Sequence, residues 1–439
     1  MSILERLTGL AGIAAILAIA WALSTDRKNV SWKLVGIGLL LQLVFGVLVL
    51  KTAIGEAAFD GANAVIQKLL GFTQDGAEFL FGNLVSQNVP VGTPIGDGPP
   101  EEALLEESGS FARTGAFFAF SVLPTIIYFS TLMSLAYYLG IMQRVVSGIA
   151  WVMRSTMKTS GAETLSVAGN IFVGHTESPL LIRPFISRLT QSELNTVMIG
   201  GFATVAGGVM AAYVGLLSPH FPDIAGHLLT ASVMNAPAAL FISKILVPET
   251  GKPETGGTMR IEVERDAVNL IDAAAAGASQ GLKLALNVAA MLLAFIALIA
   301  MVNFGIATVG GWFGVEGLSL ERIFGWILSP LAVLIGVPPA DANAVGSLIG
   351  IKTAVNEFVA YMGLANAISD GTIENPRSIL IATYALLGFS NFSAIAIQIG
   401  GIGALAPERR GDLSRLGLRA MVGGNLAAFL SASLAGILS

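Results

Sequence analysis

Residues 169–185 read GNIFVGHTESPLLIRPF, and where this stretch sits decides how the chain folds. It interrupts a moderately apolar block, Gly161 to Ile186, that is basic at both ends. Arg144, Arg154 and Lys158 precede the block, and Arg183 and Arg188 close it. Lysine and arginine collect on the cytoplasmic side of a bilayer, so both ends lie on one side. A segment that enters and leaves through one face is a re-entrant hairpin. Its irregular backbone is tolerated at depth only where it is buried in protein or lines a watery cavity.

The rest of the chain supplies the bilayer that this argument needs. Of 439 residues, 54% are apolar and 12% charged, with a mean hydropathy of +0.75; soluble domains carry roughly twice that charged share. The apolar residues come in blocks of about 20, the length that crosses a hydrocarbon core. With no cysteine, disulfides, thiolate chemistry and cysteine zinc sites are excluded, and three scattered histidines leave little for a metal centre. The net charge of −5 and the lack of a basic run argue against nucleic acid as a partner. No nucleophile or metal set accompanies the buried carboxylates, so an enzyme is not expected.

Charge then sets the topology. Leu7 to Leu23 lacks a small-residue cleavage site and reads as a retained first span rather than a signal peptide. Arg27, Lys28 and Lys33 place the next loop in the cytoplasm, and Leu34 to Leu50 crosses outward. An acidic external segment follows, in which NVPVGTPIGDGPP, residues 88–100, reads as loop between amphipathic surface helices. Span three, Thr114 to Leu139, returns to the inside. After the hairpin come span four, Thr196 to Leu217, and span five, Leu228 to Ile245; the loop Pro248 to Asp266 is cytoplasmic. Span six is Leu282 to Val302, and Leu320 to Val337 reads as an amphipathic helix. Ala340 to Ile368 is a second interrupted block, bounded by Asp341 and SDGTIENP, and so a hairpin from the outside. Spans seven, Ser378 to Leu405, and eight, Ala420 to Leu438, flank Arg409, Arg410, Arg415 and Arg419. Both termini fall outside.

The halves repeat. MQRVVSGIAWVM before the first hairpin pairs with LERIFGWILSPL before the second, and GFATVAGG (201–208) with GFSNFSAI (388–395), which sets Thr204 against Asn391. One unit starts inside and the other outside, the inverted arrangement that puts substrate and ion sites at mid-membrane. The expected fold is an all-α integral membrane protein with eight transmembrane helices and two oppositely oriented re-entrant hairpins. Residues 1–52 hold two spans and 53–140 external helices with span three; 141–247 form the first repeat unit, 248–319 the cytoplasmic loop and span six, and 320–439 the second unit.

Glu177 and Glu357 sit at the two hairpin breaks in apolar surroundings. A carboxylate at membrane depth costs about 2.5–3.5 kcal/mol on insertion scales, which makes both functional candidates. Asn170, Gly174, His175 and Thr176 stand around the first, and Lys352, Thr353 and Asn356 around the second. Such convergent donors and acceptors suit a neutral solute with hydroxyls and ring nitrogens, whereas a dense anion would need arginines. Thr204, Asn391 and Ser393 add oxygens, and Phe389 offers a face for a planar ring. Asn and Thr oxygens with carbonyls freed at a break suit a hard cation such as sodium. His175 has two readings, a neutral hydrogen-bonding partner of substrate or a titrating group; a single histidine defines no proton relay, which favours the first.

At these residues the chain resembles the concentrative nucleoside transporters, on GNIFVGHTESPLLIRPF, MIGGFATVAGGVMAAY, LKLALNVAAML, NEFVAY and GFSNFSAIAI. The resemblance runs from about Leu10 to the C-terminus. It implies a bacterial inner-membrane symporter that imports nucleosides on the sodium gradient, with proton coupling as the alternative, built as a homotrimer with an elevator-type movement. It implies base contacts at His175, Thr176 and Glu177 with Val209, Leu284 and Phe389 as apolar walls, and ribose contacts at Glu357, Asn391 and Ser393. Sodium would meet the side chains of Asn170 and Thr204 and the carbonyls of Val173 and Val205. Two departures stand out. His175 replaces the glutamine of the family's GQTE, and Ala394 stands where a second serine is frequent.

Overall fold

The structure, a computed structural model, describes residues 3–86, 88–95, 104–113, 118–255 and 267–439. Two helices, α1 (Ile3–Ala22) and α2 (Trp32–Lys51), are followed by the largely exposed α3 (Ala53–Phe81). The ribbon β1 (Asn88–Ile95) and β2 (Leu104–Arg113) comes next, and a π-helical turn, Phe118–Val122, leads into α4 (Leu123–Tyr138). The first repeat unit runs α5 (Ile141–Met157), α6 (Gly161–Asn170), the 3₁₀ segment Ser178–Arg188, α7 (Gln191–Ala203), α8 (Gly207–Leu217) and α9 (Ile224–Leu246). After α10 (Leu270–Trp312), the second unit runs α11 (Leu320–Leu334), α12 (Ala342–Ala354), α13 (Glu357–Ser369), α14 (Pro376–Leu386), α15 (Phe392–Leu405) and α16 (Arg410–Leu438).

Six described helical stretches are long and apolar enough to span a bilayer, and α1 and α15 are shorter apolar helices. With α14 and α15 counted as one broken crossing, they make the eight expected spans, and α6 with 178–188 and α12 with α13 form the two hairpins. The matched order across the halves is visible element by element: α5 and α11 lead into the hairpins, and α7–α8 and α14–α15 follow them.

The first hairpin is fixed at its base by capping chemistry. Ser160 and Glu163 form a capping box on α6, and Thr190 and Glu193 form another on α7, each putting a carboxylate against a helix N-terminus. Lys244 of α9, buried, then reaches Glu163 Oε2 at 2.7 Å, Glu249 Oε2 at 3.3 Å and Ser192 Oγ at 2.9 Å. One lysine thereby ties together the starts of α6 and α7 and the end of α9. Elsewhere small residues let helices close on each other, as membrane packing requires. Gly277 and Gly281 of α10 lie against Ser130, Thr131 and Ile127 of α4, and Gly346 and Gly350 of α12 against Leu328, Ser329 and Phe324 of α11. The hub is α16, nearly all buried from Ala420 onward, which packs on α1, α7, α9 and α14.

Three expectations are corrected. Residues 88–95 are strand, not loop: β1 pairs antiparallel with β2 from Asn88↔Arg113 to Ile95↔Leu104, irregular between Val91 and Gly92. A two-stranded ribbon has a free edge on each strand, where prolines are tolerated, so prolines and glycines did not exclude it. The stretch after residue 100 is correspondingly a strand where described, not a surface helix; 96–103, like 114–117 of span three and 256–266 of the cytoplasmic loop, lies outside the described residues. Span six is part of a 43-residue helix, about 65 Å at 1.5 Å per residue, because the polar-leaning but alanine-rich 270–281 continues it without a breaker. Spans four and seven, read as continuous, are both broken, at 204–206 and 387–391.

Candidate functional site

The two span breaks cross and touch. Gly388 has φ +103°, and a Cβ there would stand 2.4 Å from the Phe202 carbonyl oxygen, so both conformation and space demand glycine. Ser390 Oγ donates to the same oxygen at 2.8 Å, and Asn425 Nδ2 donates to the Ser390 carbonyl at 3.1 Å. Asn235 Nδ2 covers the Ala203 carbonyl at 2.6 Å. Backbone that leaves its helix in a low-dielectric interior must find such partners, and here α9 and α16 supply them.

The hairpin turn 171–177 lies beside the first break, since the Gly207 N–H donates to the Phe172 carbonyl at 2.9 Å. Asn170, at the end of α6, is 1% exposed, and neither its Oδ1 nor its Nδ2 has a partner among the described residues. Thr204, equally buried at the end of α7, donates its hydroxyl to the Gly200 carbonyl at 2.8 Å, which leaves the oxygen free to accept. No donor among the described residues meets the Val173 or Val205 carbonyl. The C-terminal ends of α6 and α7, negative in sign, therefore carry an unsatisfied amide, a hydroxyl oxygen and two carbonyls that no donor among the described residues meets. That donor set, all oxygen and uncharged, fits a hard monovalent cation.

His175 projects from the turn onto Phe389 in the second break, rings edge to face at 4.8 Å and 66°. Both its ring nitrogens are buried and without a partner among the described residues. Gly201 separates His175 from Gln398: a Cβ at that glycine would be 2.7 Å from His175 Cβ and 2.9 Å from Gln398 Nε2. Gln398 is buried, donates to the Met198 carbonyl at 3.2 Å and keeps Oε1 unpartnered. Thr176 is half-buried against Gly401. Glu177 is accessible at the turn, its carboxylate folded back over Gly174. The turn backbone brings it round, with the Glu177 N–H donating to the Gly174 carbonyl at 3.1 Å.

Glu357 is the contrasting case, buried at the first turn of α13. Its Oε1 accepts from the Tyr213 hydroxyl at 2.9 Å and its Oε2 from Asn391 Nδ2 at 3.0 Å. Asn391 Oδ1 in turn accepts from the Ala394 N–H at 2.9 Å and the Ser393 hydroxyl at 2.7 Å. The structure thus joins Glu357, Asn391 and Ser393 in one network. Val209 is buried on α8; Phe389 is half-buried; Leu284 is half-buried on α10, which packs mainly on α4 and also touches α13.

The polar residues beside Glu357 in sequence do other work. Lys352, wholly buried, donates to the Ala385 and Leu387 carbonyls at 2.9 and 3.0 Å and so caps the end of α14, with Phe429 beneath it at 5.9 Å. Thr353 donates back to Ile349 within its helix, and Asn356 caps α13 through the Val359 N–H. Tyr213 and Gln398 were missed by the sequence reading. Each is a polar tip in an otherwise apolar helix, GGVMAAYVGLL and FSAIAIQIGGIGAL, and that mismatch was the available signal. A cleft of ≈ 580 Å³ lies away from both turns, lined by residues such as Thr25, Ser192, Glu249 and Arg419.

Family models described as Na+ dependent nucleoside transporter N-terminus and C-terminus match residues 11–84 and 227–436, and one described as nucleoside recognition matches 119–220. An uncharacterized transporter of Bacillus subtilis, YutK, is 43% identical, with 98% of this chain and 99% of that protein covered. The rat sodium/nucleoside cotransporter 1 is 41% identical over 99% of this chain; the match spans 64% of that longer protein. The structure of CNTnw in an inward-facing substrate-bound state superposes with a TM-score of 0.86 at 42% identity, covering 99% of this chain and 98% of that one. A CNTnw variant in an outward-facing state also gives 0.86, at 41% identity and 99% and 97% coverage.

Proposed function

This chain belongs to the Na+-dependent nucleoside transporter family, a family of membrane transporters and not of enzymes, and we propose that it imports nucleosides as a secondary active symporter driven by the sodium gradient. The observation that carries the proposal is the clustering of unsatisfied polar groups where the hairpins meet the broken spans. Asn170 offers an amide and His175 two ring nitrogens, buried and without protein partners, and an unmatched buried polar group costs about 1–3 kcal/mol. A solute and an ion that satisfy them recover that cost.

In this reading, sodium rides as a co-substrate between the Asn170 and Thr204 side chains and the Val173 and Val205 carbonyls. The nucleobase lies along Phe389, reads His175, Thr176 and Glu177, and is walled by Val209 and Leu284. The ribose meets Glu357, Asn391 and Ser393. Because the ion set is built from the hairpin turn and the α7 end, sodium would order the turn that presents His175 to the base. Ion and solute then favour each other's binding, which is what coupling requires. The known inward- and outward-facing relatives support alternating access. We assign the movement to an elevator in which units 141–247 and 320–439 slide against a scaffold of 53–140 and 248–319, with the two spans of 1–52 alongside. The exposed apolar length of α10, from Leu293 through Phe304 to Trp312, suits a bilayer and a threefold homotrimer contact. Orientation by charge puts both termini outside a bacterial inner membrane.

Uptake into proteoliposomes tests this. Asn170→Ala is expected to raise the half-saturating sodium concentration at least about tenfold, the equivalent of ~1.4 kcal/mol, while uridine transport at saturating sodium persists. Unchanged sodium activation would sink the ion site. The second reading, proton coupling, rests on the unpartnered ring of His175. It predicts that His175→Gln makes uptake lose a pH dependence that the parent shows without sodium.

A further inference from the structure

Tyr213 belongs to the first repeat unit and Glu357 to the second, 144 residues apart, yet the hydroxyl and Oε1 are 2.9 Å apart. Both residues are buried, Tyr213 completely. The tyrosine is itself immobilised by neighbours: its ring packs on Tyr361 at 4.6 Å and on Phe358 at 5.2 Å, and the Tyr361 hydroxyl is held by the Thr383 carbonyl at 2.7 Å. The other side of the carboxylate is equally determined. Asn391 Oδ1 is occupied by the Ala394 N–H and the Ser393 hydroxyl, so only its NH₂ group can face Glu357, and it does so at 3.0 Å.

The three side-chain donors of this network therefore run toward Glu357. Ser393 donates to Asn391, Asn391 donates to one carboxylate oxygen, and Tyr213 donates to the other. The residue's own backbone N–H, an orphan donor at the first turn of α13, also donates to the carboxylate. With one oxygen pinned by each partner it has a single orientation, and the remaining lone pairs accept only.

We propose that Tyr213 is the positioning residue for sugar recognition: its hydroxyl holds the Glu357 carboxylate in the one orientation in which a ribose hydroxyl completes its hydrogen bonds. The inference rests on the reading above that Glu357 faces the sugar. Its consequence is selectivity as well as affinity. A sugar hydroxyl must donate to Glu357, and a deoxynucleoside lacking that hydroxyl leaves the fixed carboxylate short of a partner, the situation in which polar sites discriminate most strongly. Loss of the Tyr213 hydroxyl lets the carboxylate relax, so the nucleoside with the hydroxyl loses its advantage while the one without it is little changed.

The test is the Michaelis constant for sodium-driven uptake of uridine, 2′-deoxyuridine and 3′-deoxyuridine into proteoliposomes, with equilibrium binding to the purified protein alongside. The parent is expected to prefer uridine over at least one deoxy analogue by about tenfold or more. Tyr213→Phe is expected to raise the uridine constant about tenfold and that of the disfavoured analogue less than about twofold, so that the preference collapses. Tyr361→Phe, which cuts a hydroxyl from the same ring stack without touching Glu357, should shift all three nucleosides alike. If Tyr213→Phe also shifts all three equally while the parent preference exists and Glu357→Gln removes it, Tyr213 is merely structural and the proposal falls, with the Glu357 reading intact. If the parent shows no preference, or Glu357→Gln keeps it, the Glu357 reading fails and takes this proposal with it. Thermal melts report whether the variants fold. Tyr213→Gln keeps a donor without the ring; it is expected to retain preference that Phe loses, and the reverse order overturns the proposal.

Discussion

Two glutamates that look alike in the sequence part company in the structure. Glu357 is buried and receives two protein hydrogen bonds, while Glu177 is exposed and folds over Gly174. The difference follows from the backbone. Glu357 begins a regular helix with Asn356 as its cap, whereas Glu177 ends an irregular turn that brings it back on itself. Apolar neighbours in sequence show that a charge sits in a membrane segment, not which way a turn aims it, so the second carboxylate was legible and the first only half so. The same limit hid the division of labour beside Glu357, where Lys352 and Asn356 cap helices and Thr353 bonds back within its own. Gly201 carries a prediction at this scale. A methyl there would meet His175 Cβ at 2.7 Å and the Gln398 amide at 2.9 Å. Gly201→Ala is expected to cost about 1–3 kcal/mol of stability in a thermal melt and to raise the Michaelis constant for uridine by displacing His175. A variant with parent-like uptake would show that this contact does not position the ring.

Among elements, the features that the sequence marked best were those with strong periodicity and flanking charge. Helices α2 and α9 and both hairpins were found at nearly their observed places, whereas α16 begins at Arg410, ten residues ahead of the expected span. The breaks within spans four and seven were not, because GFATVAGG and GFSNFSAI keep a hydropathy that a continuous helix would also show. Beside Gly388, which turns the chain at φ +103°, the end of α14 is capped by a tertiary partner, Lys352, whose ammonium meets the Ala385 and Leu387 carbonyls. The residue lies 33 positions away from the nearer of them, out of reach of any local reading. Lys352→Met is therefore expected to strip the cap and destabilise the fold by about 2–4 kcal/mol, from two orphaned carbonyls and a lost charge–dipole contact. The melt of the purified protein checks it, and an unchanged midpoint would mean that water replaces the ammonium. At the base of the first hairpin, Lys244→Met leaves Glu163 as an unpaired buried charge. The expected loss is about 3–5 kcal/mol, larger than for Lys352 because a full charge is stranded, and double replacement with Glu163→Gln should recover part of it.

For the molecule as a whole, charge on the loops and the order of elements in the two halves carried the architecture, since the bilayer allows few ways to satisfy a backbone. The orientation is open to direct test because the chain contains no cysteine. Single cysteines at Lys28 and Arg410 should react with an impermeant maleimide only from the cytoplasmic side, and those at Asp223 and Asp370 only from outside. A reversed pattern would invert the topology and the direction of transport with it. Cargo and coupling were legible from motif likeness alone; no periodicity distinguishes a nucleoside from another polar solute, or sodium from a proton. In the proposed reading, coupling arises because the sodium ligands at the ends of α6 and α7 share a hairpin turn with His175. The measurement that tests this most directly is uphill uptake of uridine into proteoliposomes under an imposed inward sodium gradient at equal pH on both sides. The account predicts accumulation above the external concentration that collapses with a sodium ionophore and survives a protonophore. Accumulation that follows an imposed pH gradient and ignores sodium would contradict it.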